Sequence, residues 1–267
     1  MADHASKNLR KEFAQAHAGP LPYPVSWHEH WPVVDEARMR EIDRIMIEDL
    51  HVDLMQMMEN AGRSLAHVAL HRFAPRSVVV FAGAGGNGGG GLAAARHLNN
   101  HGVSVHVHLT KPSSSLSSAA ARQCESLRLS GVSVDEPTAQ LQSAELIIDA
   151  MIGYSLRGQP TGEVASVIAW IIASGAPVLS LDVPSGFSAA HGTLSVPHVR
   201  ADATLTLATL KSGLADCHAA GDLLVADIGV PGRIFDRLGT TRPPFGKEWI
   251  VEIASPSRGL STDNGQQ

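Results

Sequence analysis

The chain has 267 residues with 44 % hydrophobic residues, 18 % charged residues and a net charge of −5, with a pI near 6.3. That composition excludes wholesale disorder, and no apolar run approaches the ~18–20 residues that cross a bilayer. The acidic balance gives no support to nucleic-acid or anionic-membrane binding.

Residues 1–34 carry Pro20, Pro22, Pro24 and Pro32 and no apolar period, so they read as an irregular arm. Asp35 is placed to cap a helix in which Met39, Ile42, Ile45 and Met46 fall at helical spacing. A second helix runs from about Asp53 to Arg72. Its methionine-rich face (Leu54, Met57, Met58, Ala61, Leu65, Val68) reads as core packing. From residue 77 strands and helices alternate. SVVVFAG is a buried strand, followed by a glycine cluster and the helix LAAARHLNNHG. SVHVHL is the second strand, then a serine-rich loop caps AAARQCESLRLSG. VSVDEP, AELIIDAMIG and APVLSLDVPSG are further strands. Between the last two lies a helix with Val164, Val167, Ile168, Ile171 and Ile172 on one stripe. ADATLTLA, GDLLVADIG and EWIVEI are the later strands, and SPSRGLSTDNGQQ is a tail.

This alternation predicts an α/β fold: a Rossmann-like three-layer sandwich, mostly parallel, with helices on both faces. The domain spans residues 35–253, between an arm (1–34) and a flexible tail (254–267). Cys124 and Cys217 cannot build a disulfide framework or a four-cysteine metal site. With no apolar leader at the N-terminus, a cytoplasmic setting is expected.

Seven of the 25 glycines lie between Gly83 and Gly91. Gly83 to Gly88 fits G-x-G-x-x-G between a strand and a helix, the context in which backbone N–H groups meet a phosphate. The second strand ends in Thr110 and Lys111, where a dehydrogenase would carry an acidic residue for the ribose, and no Lys-Ser/Thr pair makes a P-loop. In doubly wound sheets the ligand lies beyond the carboxyl ends of the strands. Asn87, Asp149, Asp182, Ser185 and Lys211 all fall there. Each alone has a plainer role as cap, turn former or solvated charge. Together the Asn, Asp and Ser oxygens suit a hard cation of low charge, and an Asp and a Lys remain for proton transfer.

These residues sit in a series of motifs: Met58-Glu59-Asn60-Ala61-Gly62-Arg63, Gly85 to Leu92, Asp149-Ala150-Met151-Ile152-Gly153, Asp182-Val183-Pro184-Ser185-Gly186, Lys211-Ser212-Gly213 and Gly221 to Pro231. In order and spacing the series resembles the NAD(P)H-hydrate epimerase family, also called the YjeF N-terminal domain family. The resemblance implies interconversion of the R and S forms of NADHX and NADPHX, nicotinamide cofactors hydrated at C6 of the ring. It also implies a homodimer, a potassium ion, and a separate dehydratase that consumes the S form. Carried onto this sequence, potassium is held by Asn87, Asp149 and Ser185. The substrate is contacted by Asn60, Gly86, Asn87, Gly88, Gly89, Gly90, Gly153, Tyr154, Ser155, Leu156, Arg157, Gly158, Gln159 and Asp182. Asp182 is the acid/base residue, with Lys211 assisting. The family loop usually reads Gly-x-Gly-Asn-Asn-Gly-Gly-Asp-Gly; here Gly86 and Gly90 replace an Asn and the Asp, which predicts a looser loop. Alternatives are a catalytically weak member serving as a nucleotide-binding or protein-interaction module, a serine hydrolase using Ser185, and a zinc site at His67 and His71.

Overall fold

The computed structural model describes residues 23–255. In chain order the strands and α-helices are β1 (Val25–Trp27), β2 (Val33–Val34), α1 (Glu36–Arg44), α2 (Leu54–Val68), β3 (Ser77–Ala82), α3 (Gly86–Asn100), β4 (Ser104–Leu109), α4 (Ser118–Leu129), β5 (Ser133–Asp135), β6 (Leu146–Ala150), α5 (Gly162–Ser174), β7 (Val178–Leu181), β8 (Phe187–Ser188), β9 (Thr193–Leu194), β10 (Ala203–Leu207), β11 (Leu210–Lys211), β12 (Asp222–Ala226), α6 (Gly232–Arg237) and β13 (Ile250–Ala254). The caps follow the sequence. Asp35 accepts from the Arg38 N–H, Ser117 accepts from the Ala120 N–H, and Asp53 with Gln56 closes a capping box at α2.

One sheet of nine strands runs β1-β13-β12-β10-β7-β6-β3-β4-β5, parallel throughout except where β12 meets β13. The strand order reverses at β3: β4 and β5 lie on one side, β6 and β7 on the other. A ligand crevice therefore opens beyond the carboxyl ends of β3 and β6. Strand pleating divides the core between two faces. Val78 and Val80 point to α2, α3 and α4, which contribute Leu65, Leu92, Leu98 and Leu127. Val79 and Phe81 point to Val167, Ile168 and Ile171 of α5. Beyond α5 the same face is covered by the segments before and after β10, which bring Val183, Phe187, Leu210 and Leu214 onto β12 and β13. Among the described residues no helix is long and apolar enough to cross a membrane.

Four expectations change. The arm is not irregular from residue 25 on: β1 forms the sheet edge on β13, and β2 pairs with β11. These strands are two or three residues long, too short for a local pattern, and their partners lie far along the chain. Ile172 leaves its predicted stripe and is 56 % exposed, because α5 packs on the sheet through Val164, Val167, Ile168 and Ile171. The glycine cluster is mostly helix rather than loop. α3 starts at Gly86, and Gly88 to Gly91 are buried. A Cβ on Gly88 would strike the Gly83 carbonyl, and one on Gly91 would strike Ala150 of β6. The missing side chains let α3 lie directly on the sheet. The looser loop expected from Gly90 is likewise absent, since Gly90 packs against Leu181 and Ala61.

Candidate active site

Asp149 lies within β6 and is fully buried. Its Oδ1 accepts from the Ser185 hydroxyl at 2.5 Å and the Met151 N–H at 3.3 Å. Its Oδ2 accepts from the Ser185 N–H at 2.8 Å and the Ser180 hydroxyl at 2.9 Å. Burial pushes its pKa up, and these donors oppose the rise. Ser185 also accepts from the Ile152 N–H at 3.0 Å, so its hydroxyl joins β6 to the turn after β7. The hydroxyl is buried and donates its hydrogen bond to a carboxylate, with neither a histidine nor a lysine on it to act as the base of a hydrolytic serine.

Asp182 follows β7 directly, with φ of +68° and its N–H on the Leu205 carbonyl at 2.8 Å. A left-handed backbone at a non-glycine residue costs on the order of 1–2 kcal/mol and marks a position the surroundings enforce. Its Oδ1 lies 2.6 Å from Lys211 Nζ. Its Oδ2 accepts from the Tyr154 N–H at 2.8 Å. Lys211 is 1 % exposed. Its ammonium donates to Thr206 Oγ1 at 2.9 Å, the Leu207 carbonyl at 2.6 Å and the Thr209 carbonyl at 3.3 Å, and its contact with Asp182 Oδ1 is an ion pair without a hydrogen bond. The plainer reading of Lys211 as a solvated charge is excluded.

Gly153 shows how close the groups stand. The point where its Cβ would sit is 2.9 Å from Asp182 Oδ2 and 3.3 Å from Asn87 Oδ1. Any side chain there would wedge the two apart. Asn87 is the second residue of α3, and its Nδ2 is buried without a hydrogen-bond partner among the described residues. The helix N-terminus, with Gly86 exposed, faces the same crevice.

The predicted substrate residues divide into two groups. Asn87, Gly153, Tyr154 and Asp182 meet, and Ser155, Arg157, Gly158 and Gln159 are exposed on the following turn while Leu156 is buried. Asn60 donates to the Ile228 carbonyl at 3.2 Å, tying α2 to the end of β12. A Cβ on Gly88, Gly89 or Gly90 would strike Gly83, Met58 or Leu181, so these positions have no room for a side chain. His67 and His71 stack with ring centroids 4.0 Å apart, and His67 Nδ1 shares a 2.9 Å hydrogen bond with the Tyr23 hydroxyl. No group of three or more His, Cys, Asp or Glu fit to hold a metal occurs among the described residues.

One residue escaped the sequence reading. Asp43 of α1 accepts from the Tyr154 hydroxyl at 2.6 Å. The only local signal is a carboxylate flanking the apolar face of Met39, Ile42 and Met46.

A family profile described as YjeF-related protein N-terminus matches residues 54–213. The chain belongs to this family. It is 42 % identical over 224 residues to an NAD(P)H-hydrate epimerase of Dehalogenimonas lykanthroporepellens, covering 81 % of this chain and 91 % of that one. A second NAD(P)H-hydrate epimerase, from Pirellula staleyi, is 33 % identical over 218 residues, covering 77 % and 96 %. A bifunctional NAD(P)H-hydrate repair enzyme of Archaeoglobus fulgidus is 36 % identical over 178 residues, covering 66 % of this chain and 37 % of the longer protein. The crystal structure of yeast YNL200c superposes with a TM-score of 0.70 at 24 % identity, covering 82 % of this chain and 99 % of that one, and shares the fold.

Proposed function

We infer that this chain is an NAD(P)H-hydrate epimerase, an isomerase that interconverts the R and S forms of hydrated NADH and NADPH. The observation that carries the reading is the buried Asp182 carboxylate, clasped by Lys211 and the Tyr154 N–H beside Asn87, at the crevice of a family whose similar members bear that name.

Epimerisation at a carbon bearing both a hydroxyl and a ring nitrogen needs the C–O bond loosened and remade on the other face. As the carboxylate paired with Lys211, Asp182 would take a proton from the incoming water and return it to the departing oxygen, so the group ends as it began. Such acid/base help is worth ~10²–10⁴-fold. Lys211 keeps Asp182 in place through the exchange; its ammonium is saturated by four oxygens. The exposed N–H groups at the start of α3 suit the substrate pyrophosphate.

The donor set of Asn87, Asp149 and Ser185 fits potassium. It offers one carboxylate and neutral oxygens, a modest charge count that suits a monovalent ion. Bound potassium would supply positive charge next to the anionic substrate. A homodimer, a cytoplasmic setting and a separate dehydratase acting on the S form complete the reading, supported for the last by the bifunctional repair enzymes among the relatives.

The test is incubation of R-NADHX with this protein and an S-specific dehydratase. Consumption of the R form should accelerate, and Asp182→Asn should remove most of the acceleration. No acceleration with the unmodified protein would refute the assignment.

A further inference from the structure

We propose that Asp43 is a positioning residue of this site: by holding the Tyr154 hydroxyl it keeps the Tyr154 N–H on the Asp182 carboxylate. The proposal rests on the epimerase reading for its kinetic consequence, but the geometry is independent of it.

Tyr154 makes contact with the site and with α1 at its two ends. Its peptide N–H donates to Asp182 Oδ2 at 2.8 Å, and its hydroxyl donates to Asp43 Oδ2 at 2.6 Å, across 111 positions of sequence. The second distance is in the range of a hydroxyl bonded to an ionised acceptor, roughly twice as strong as a neutral pair. Between the two ends the ring is packed against both the cluster that contains Met39, Ile42 and Met46 and the cluster that contains Phe187 and Leu210. The Arg40 guanidinium lies 6.0 Å from the ring centroid.

The backbone around Tyr154 has no ladder of its own. Residues 151–161 contain neither helix nor strand. Their position depends on individual bonds, among them Ile152 on Ser185, Tyr154 on Asp182 and the tyrosine hydroxyl on Asp43. Asp182 has one oxygen beside Lys211 and the other on this N–H, so the plane of its carboxylate depends on where residue 154 sits. Freeing the hydroxyl lets the peptide drift and the carboxylate turn.

The charges agree with this. Burial raises the Asp43 pKa and the Asp182 charge raises it further, while the Tyr154 hydrogen bond and Lys211 oppose the rise. Tyr154 itself is held well above the ordinary phenol range, chiefly by burial and then by Asp43, so it remains a donor.

Two readouts test the proposal. The first is amide hydrogen exchange at residue 154 in ¹⁵N-labelled protein without substrate. Asp43→Ala should speed it more than about 10-fold, and Asp43→Asn, which keeps an acceptor oxygen, should leave it near the parent rate. The second is steady-state kinetics on R-NADHX. Asp43→Ala and Tyr154→Phe should each lower kcat about 10-fold with less effect on KM, the double variant should lose no more than either single one, and Asp43→Asn should recover to within about 2-fold. Unchanged exchange in Asp43→Ala, or losses that multiply in the double variant, would overturn the proposal. Tyr154→Phe keeps the ring and reads the same bond if Asp43→Ala does not fold. An unmodified protein that fails to turn over R-NADHX would count against the epimerase reading alone, and the exchange experiment would still decide the role of Asp43.

Discussion

Gly62 of α2 offers a sharp test of how α2 meets α3. A Cβ at this position would lie 2.5 Å from the Ala93 Cβ, 2.7 Å from the Ala94 backbone nitrogen and 2.7 Å from the Gly90 carbonyl oxygen. None of the three is the tip of a flexible side chain. Gly62→Ala therefore forces the helices apart by about 1 Å to restore ordinary carbon contacts of ~3.5–4.0 Å. Intrinsic propensity alone predicts the opposite outcome, a gain of about 1 kcal/mol for alanine in a helix interior. Overpacking a dense core costs typically ~1–3 kcal/mol, and here the displaced neighbours are largely backbone. The net expectation is a loss of about 2 kcal/mol, the overpacking at its upper end less the propensity gain. Gly86→Ala is the control, since nothing lies within 4 Å of its Cβ position. Urea unfolding of both variants at constant m-value reads the difference. A Gly62→Ala protein as stable as the parent, or more stable, would refute the close-approach account of this seam.

Lys211→Met removes the charge partner of Asp182, which is 3 % exposed, and should cost about 3–5 kcal/mol in urea unfolding; Asp182→Asn in the same chain should return much of that loss. Tyr23, pushed up to about 12 by burial, keeps its proton in the folded chain after the unfolded chain has lost it. The unfolded state then binds fewer protons between pH 10 and 12, so stability falls through that window. Tyr23→Phe should flatten that fall, as measured by unfolding midpoints from pH 9 to 12; an unaltered slope would contradict the assignment. Replacing potassium by lithium should slow conversion of R-NADHX, and Asp149→Asn should erase the difference between the two ions.

Much of the architecture is readable from local chemistry. Runs such as Val78-Val79-Val80-Phe81 can only be buried strands, and their alternation with helical stripes implies a doubly wound sheet. Once that topology is assumed, polar residues at strand ends must converge, which is why Asp149, Asp182, Ser185 and Asn87 could be grouped before any coordinates. In the fold Asp149 bonds Ser185, and Asp182 stands beside Asn87 at Gly153, because parallel strands deliver their carboxyl ends to one edge.

What the sequence by itself determined is the order of elements and the chemical kinds of residue at that edge, because propensity and periodicity act over a few neighbours. Tertiary structure alone decided that Gly88 to Gly91 lie in a buried helix packed on the sheet, since a glycine's use depends on what approaches it. It alone placed β1 against β13, turned Ile172 outward and buried the Lys211 ammonium among four oxygens. It alone joined Asp43 to Tyr154. The pairings of β1 with β13, Lys211 with Asp182 and Asp43 with Tyr154 join segments far apart in the chain, and their energy comes from packing and desolvation that no local window contains.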